Sequence, residues 1–192
     1  MTKLTRKVVD RLNHDYERAE AFYLVEEERL ETMPESVREG SISWKDGEWL
    51  VRWYYRRFLS SAYNARATEV EGAYRSNDWP TIRDTLRSVI DIDDPAERVA
   101  QVSTLDGIDV PVATGMLYFI DPTRDIVMSE REWRGLEIAG ELGESYPRRV
   151  TPSDYRTYLE VCDEVTDRLD VTFIELQRAL WRLTEDRTKA SG

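Results

Sequence analysis

An all-α fold follows from three features of the sequence. Apolar residues recur three and four positions apart, first at Leu4, Val8, Leu12, Ala19, Phe22 and Leu30, the spacing that lines one face of an α-helix. A cap-type residue followed closely by proline recurs at Asp78-Trp79-Pro80, Asp94-Pro95 and Thr151-Pro152, which suits an N-cap and a first helical turn. Period-two alternation does not occur over any length that would support a sheet, and only Ile126–Met128 reads as strand-like.

The elements follow in order. The first apolar series predicts one long amphipathic N-terminal helix, with Glu26-Glu27-Glu28 as solvated charge. Pro34 and the stretch from Gly40 to Gly47 should break it. A second helix starts near Asp46 or Glu48 and runs through WLVRWYYRRFLSSAY to Tyr63. A third covers Ala65–Tyr74. Asp78 then caps a helix over Thr81–Ile90, with Ile82, Leu86, Val89 and Ile90 on one side. Asp94 caps Ala96–Thr104, and a turn at Asp106-Gly107 leads into Val110–Ile120. That helix is almost wholly apolar or small, so it belongs in the core. Asp121-Pro122 ends it. A helix over Glu130–Gly140 closes at Gly140 or Gly143. Thr151 opens a long helix through Leu169, and Asp170 or Thr172 opens the last, to about Leu183. The end, TEDRTKASG, should fray.

Composition narrows the function classes. The net charge is −11, and only four of the 27 basic residues are lysines (Lys3, Lys7, Lys45 and Lys189). Acid-rich, lysine-poor surfaces suit a salt-crowded cytoplasm, where repulsion between carboxylates is screened; an ordinary acidic protein is the alternative. Such a surface repels nucleic acid unless its arginines cluster. The one cysteine, Cys162, excludes an internal disulfide and any Cys-based metal cluster within one chain. No stretch is long and apolar enough to span a bilayer, and the N-terminus lacks the apolar core of a secretory signal. A cytoplasmic location and no membrane partner are expected.

Few constellations carry chemistry. His14 is the only histidine and has nothing of a Ser-His-Asp triad beside it; it reads as a surface residue. Asp91-Ile92-Asp93-Asp94 is acid-dense but ends in proline, and so reads better as a helix cap than as a metal site. There is no P-loop or GxGxxG, and no cofactor is predicted. Trp49, Trp53, Tyr54, Tyr55 and Phe58, with Arg52, Arg56 and Arg57, form one aromatic-basic cluster. It suits base stacking and phosphate contact, and equally a core helix whose arginines reach the surface or pair with acids.

The segment Leu105-Asp106-Gly107-Ile108-Asp109-Val110-Pro111-Val112-Ala113 resembles the hairpin of the helix-hairpin-helix DNA glycosylase superfamily. An apolar triplet, Ile126–Met128, then a helix with Arg131, Trp133 and Leu136 follow in the family's order. Trp53-Tyr54-Tyr55-Arg56-Arg57 upstream, and Tyr155–Tyr158, Cys162 and Leu176–Trp181 downstream, are similar too. The resemblance covers roughly Asp46–Leu183. It implies a helix-hairpin-helix glycosylase-like domain over 46–184, an N-terminal helical extension over 1–45 and a disordered tail over 185–192.

The same resemblance places the family's catalytic aspartate at Ser129 and its lyase lysine at Pro111, so no catalytic residue is expected. Asp125 or Glu130 could supply a relocated carboxylate only after a register shift. The hairpin's second glycine position is Asp109, which either caps the next helix or spoils anion binding. The implied function is a non-catalytic contact with double-stranded DNA through the backbone of Gly107, Ile108, Asp109 and Val112, with Arg131 and Arg134, and secondarily Arg52 and Arg56. An acidic module that binds a protein partner is the alternative, and an active glycosylase with a relocated carboxylate the third.

Overall fold

The computed structural model describes residues 3–58 and 61–190, without the side chains of 61–64 and 186–190. The described residues form ten α-helices and one short 3-10 turn, so the all-α expectation holds. In order they are α1 (Arg6–Ala19), α2 (Tyr23–Glu39), α3 (Trp44–Arg56), α4 (Ser61–Tyr74), α5 (Trp79–Ser88), α6 (Pro95–Val102), α7 (Val110–Ile120), α8 (Glu130–Ala139), α9 (Pro152–Leu169) and α10 (Phe173–Ala190).

Helix α7 is the centre. Val110 and every residue from Val112 to Ile120 are buried, as its all-round apolar sequence requires. It packs against α2, α3 and α6. Gly115 makes the close approach of α3 possible, because a Cβ there would lie 3.0 Å from Tyr54 Cδ2. Around it Trp53 stacks on Tyr118 at 5.9 Å and meets the Phe119 ring edge-on at 4.6 Å. The C-terminal helix α10 packs against α1, α8 and α9. Leu4, Val9 and Leu12 of the first residues belong to the same hydrophobic core as Leu176 and Leu180 of α10.

The cap-then-proline signals are real. Asp78, Asp94 and Thr151 each accept a backbone N–H three residues on, and Gly140 ends α8 in the left-handed conformation. Elsewhere the boundaries move. The long N-terminal helix is two helices, broken at Glu20–Phe22 rather than at Pro34, which lies inside α2. The break has a tertiary cause. Trp181 Nε1 donates to Glu20 at 3.0 Å, and Tyr16 Oη donates to Glu26 at 2.8 Å, which holds α2 back against α1. Helix α3 starts earlier than Asp46, because Ser43 and Asp46 form a reciprocal capping box. It stops at Arg56 instead of running to Tyr63; Leu59 and Ser60 lie outside the described residues. At the C-terminus α10 continues to Ala190, past the expected stop near Leu183.

The strand-like triplet is part of no strand among the described residues. Tyr155 Oη accepts from Ile126 N at 3.3 Å, Tyr158 Oη donates to Val127 O at 2.9 Å, and Thr114 Oγ1 accepts from Met128 N at 3.0 Å. Side chains of α7 and α9 thus satisfy a buried backbone that would otherwise need a ladder. Just before it, Asp125 is fully buried and bonded to Arg98 at 3.0 Å and to Tyr155 at 2.8 Å. Burial raises the Asp125 carboxyl above the usual carboxylate range, and the Arg98 guanidinium opposes that shift.

The turn at Gly107 depends on glycine twice over. Its φ is +84°, and a Cβ would lie 2.8 Å from Val70 O and 2.9 Å from Ala73 Cβ. Gly107→Ala should destabilise the fold by roughly 2–4 kcal/mol, combining left-handed strain with overlap against α4. Gly143, with nothing within 4 Å of its Cβ position, is the control, and its alanine variant should stay within about 0.5 kcal/mol. Urea denaturation of the two variants compares them directly.

Candidate functional site

The hairpin connects α6 to α7 and packs on α4. Its turn opens onto a shallow depression of about 390 Å³ lined by Arg66, Val70, Asp106, Gly107 and Asp109 among others. Several of the turn's amides are already used. Asp106 N donates to Asn77 Oδ1 at 3.0 Å and Ile108 N to Leu105 O at 3.1 Å. Asp109 adopts φ −86°, ψ 171°, not a left-handed turn, and its carboxylate accepts from Val112 N at 3.1 Å. It is therefore the N-cap of α7, and it places a negative charge where an anion would approach the helix end. Pro111 contributes no N–H. The cation at the rim, Arg66, is bonded to Glu69 at 2.9 Å and lies 4.0 Å from Asp109.

The arginines predicted for DNA do not stand free together. Arg52 is paired to Glu71 at 3.0 Å and Glu48 at 3.4 Å. Arg131 lies 3.4 Å over the Trp181 ring, bonds Thr184 and the Trp181 carbonyl, and pairs with Glu185 at 2.8 Å. Arg56 and Arg134 are exposed. Ile108 and Val112 present their side chains to the core rather than to a ligand.

The position that the sequence resemblance assigns to a catalytic aspartate is closed. Ser129 is buried and caps α8, accepting from Arg131 N at 3.2 Å, and its hydroxyl donates to Glu132. Glu132 is completely buried and also accepts from Arg57 at 2.6 Å and from Gln177 at 3.3 Å. The Arg57 guanidinium sits between two indoles, 4.4 Å over Trp53 and 4.6 Å over Trp181. The Arg57 and Glu132 side chains are only 3% and 0% exposed. Burial disfavours the charge on Arg57, but Glu132 and its hydrogen bond outweigh burial and raise its pKa. An adjoining cluster buries Glu26, which accepts from Tyr16 and, at 2.7 Å, from Trp53 Nε1. Burial, with the neighbouring Glu26 charge, pushes the Tyr16 hydroxyl well above its ordinary value.

Glu26 and Glu132 are not legible as site residues, and Arg57 is legible only as a member of the aromatic-basic cluster. Glu26 lies in a run that reads as solvent-facing acid, and Glu132 reads as first-turn charge after a cap. The available signal for Glu132 was its place three residues after Ser129, the capping-box spacing. The other candidates resolve simply. Asp125 belongs to the Arg98 pair, and Glu130 is exposed. His14 is at the surface, 3.7 Å from Glu17. Asp94 is a cap bonded to Arg156. Among the described residues no group of three or more His, Cys, Asp or Glu is arranged to hold a metal ion, and no helix is long and apolar enough to cross a membrane. No protein-family model matches the chain, nor does any curated protein or solved structure.

This chemistry is that of a locked interior. Glu132 accepts from three donors, one of them its ion-pair partner Arg57, and lies out of solvent. Glu132→Gln should cost about 3 kcal/mol, because Arg57 is then left charged in an apolar cage. Adding Arg57→Met should recover much of that loss, and a double-mutant cycle by thermal or urea unfolding reads the coupling. Cys162 is fully buried, and burial raises its thiol far above the ordinary value. At mildly alkaline pH it should react with a disulfide reagent only at the rate of unfolding, whereas denatured protein reacts at once.

Proposed function

We propose that this chain is a non-catalytic helical module that binds a protein partner on a glycosylase-like scaffold. The observation that carries the reading is the cluster of large apolar residues left in solvent: Phe22, Leu24 and Val25, with Leu24 78% exposed, lie together where α2 begins. Three further features support it. Position 129 is a serine inside a closed polar cluster, the Asp109 carboxylate occupies the start of α7, and Arg52 and Arg131 are neutralised by carboxylates of the chain itself. Phosphate binding gains its affinity from unpaired cations and open helix ends, and both are diminished here.

A second reading is contact with double-stranded DNA through the hairpin. The depression beside Gly107 and the presence of Arg66 at its rim favour it, as does the sequence resemblance. Its contact set remains the Gly107–Val112 backbone with Arg131, Arg134, Arg52 and Arg56.

One titration separates the two. A fluorescently labelled duplex with an abasic-site analogue is compared with plain duplex by anisotropy through a KCl series, while circular dichroism tracks folding. The expected outcome is no binding to either duplex at any salt at which the protein is folded. Preferential binding to the abasic analogue, weakening as salt rises, transfers the function to the second reading.

A further inference from the structure

The outer face of α2 carries more than its apolar start. Leu24, Glu28, Glu31 and Glu35 are spaced four, three and four apart, which places them on one helical face, and all four are exposed. Glu27 beside them is tied to Arg178 and Glu26 is buried. Glu28, Glu31 and Glu35, in contrast, meet no lysine or arginine among the described residues; most carboxylates nearer the core are matched to arginines. The one cation within this stretch, Arg29, is turned away, paired to Asp46 and set 5.2 Å over the Trp49 ring. The exposed Arg38 comes only in the last turn. The result is an apolar end, Phe22–Val25, continued by a row of unpaired carboxylates about two turns long.

We propose that this face docks an amphipathic basic helix of a partner protein. The partner's apolar residues cover Phe22, Leu24 and Val25, and its lysines or arginines run along Glu28, Glu31 and Glu35. The inference rests on the interaction reading and gives it a surface and a partner chemistry. Charge complementarity selects the occupant: a second copy brings the same acidic row and a net charge of −11, so like charges oppose self-association. Helix-on-helix docking with i, i+3, i+4 anchors is the recognition mode that such a face offers.

The test uses the full chain and a synthetic peptide of about 18 residues, roughly five turns, with leucine at helical three–four spacing and lysine elsewhere. A scrambled peptide of equal charge is the control. Binding is read by anisotropy at two KCl concentrations. Wild type should bind the ordered peptide in preference to the scramble, more weakly as salt rises. Leu24→Asp and, separately, the triple variant Glu28→Lys/Glu31→Lys/Glu35→Lys should each weaken binding about tenfold or more, and the triple variant should flatten the salt dependence. Glu164→Lys on the exposed face of α9 should leave affinity unchanged. These are surface positions, so melting temperatures confirm that the variants stay folded.

Equal binding by wild type and both α2 variants overturns this surface while leaving the interaction reading in place. No preference for the ordered peptide also overturns the docking proposal, and the duplex titration then decides the interaction reading by itself. Sedimentation equilibrium adds a further outcome: a dimer abolished by Leu24→Asp puts a second copy on this face and removes the basic partner.

Discussion

Helix α7 has no polar face, and the arrangement of the other elements follows from covering it. A helix that is apolar all round must be enclosed. Here α2, α3 and α6 pack against it, with the rings of Trp49 and Trp53 against Phe119 and Tyr118. Enclosure on this scale brings the first helices into the body of the molecule. Tyr16 and Glu26 reach Trp53 on α3, and α1 lies along α10. The N-terminal forty residues therefore complete the core instead of decorating it.

Packing a helix so deeply leaves charged groups of the surrounding elements inside as well. Glu26, Asp125 and Glu132 are all buried, and each has a specific donor set: Tyr16 and Trp53, Arg98 and Tyr155, Arg57 with Ser129 and Gln177. Such groups add little net stability relative to apolar replacements, yet they are expensive to leave unpaired. Their effect here is on register. Arg57 can sit between Trp53 and Trp181 with Glu132 in reach only if α3, α8 and α10 meet in one way. Wrong packings of a helical protein with so many interchangeable apolar faces would strand one of these charges.

The same economy shapes the surface. A chain with 38 acidic and 27 basic residues can neutralise most arginines internally, and around the hairpin it does so. Arg66 faces a carboxylate there, and so do Arg52 on α3 and Arg131 on α8 in their own surroundings. Exposed acid remains on the outer side of α2, beside the exposed apolar residues, and on α9 at Glu160, Asp163, Glu164 and Asp167. The helix end at the hairpin turn is capped by its own Asp109, and Ser129 is buried against Glu132.

The sequence by itself determined the helical class, the cap-proline starts at Asp78, Asp94 and Thr151, a glycine stop to α8 at Gly140 or Gly143 and the burial of α7. These depend on local backbone preferences and on a 3.6-residue apolar period, both written in neighbouring residues. It also carried both readings of Asp109 and of the aromatic-basic cluster, and the structure selects the capping role for Asp109 and a core role for Trp53 and Arg57. Only the tertiary structure decided the break at Glu20–Phe22, the tolerance of Pro34 within α2, and which glutamates are buried. The break and the buried glutamates rest on partners distant in the chain: Trp181 for Glu20, Trp53 for Glu26, Arg57 for Glu132. A carboxylate's environment is set by what folds over it. The run Glu26-Glu27-Glu28 therefore looks uniform in sequence yet yields one buried acceptor, one ion pair to Arg178 and one exposed charge.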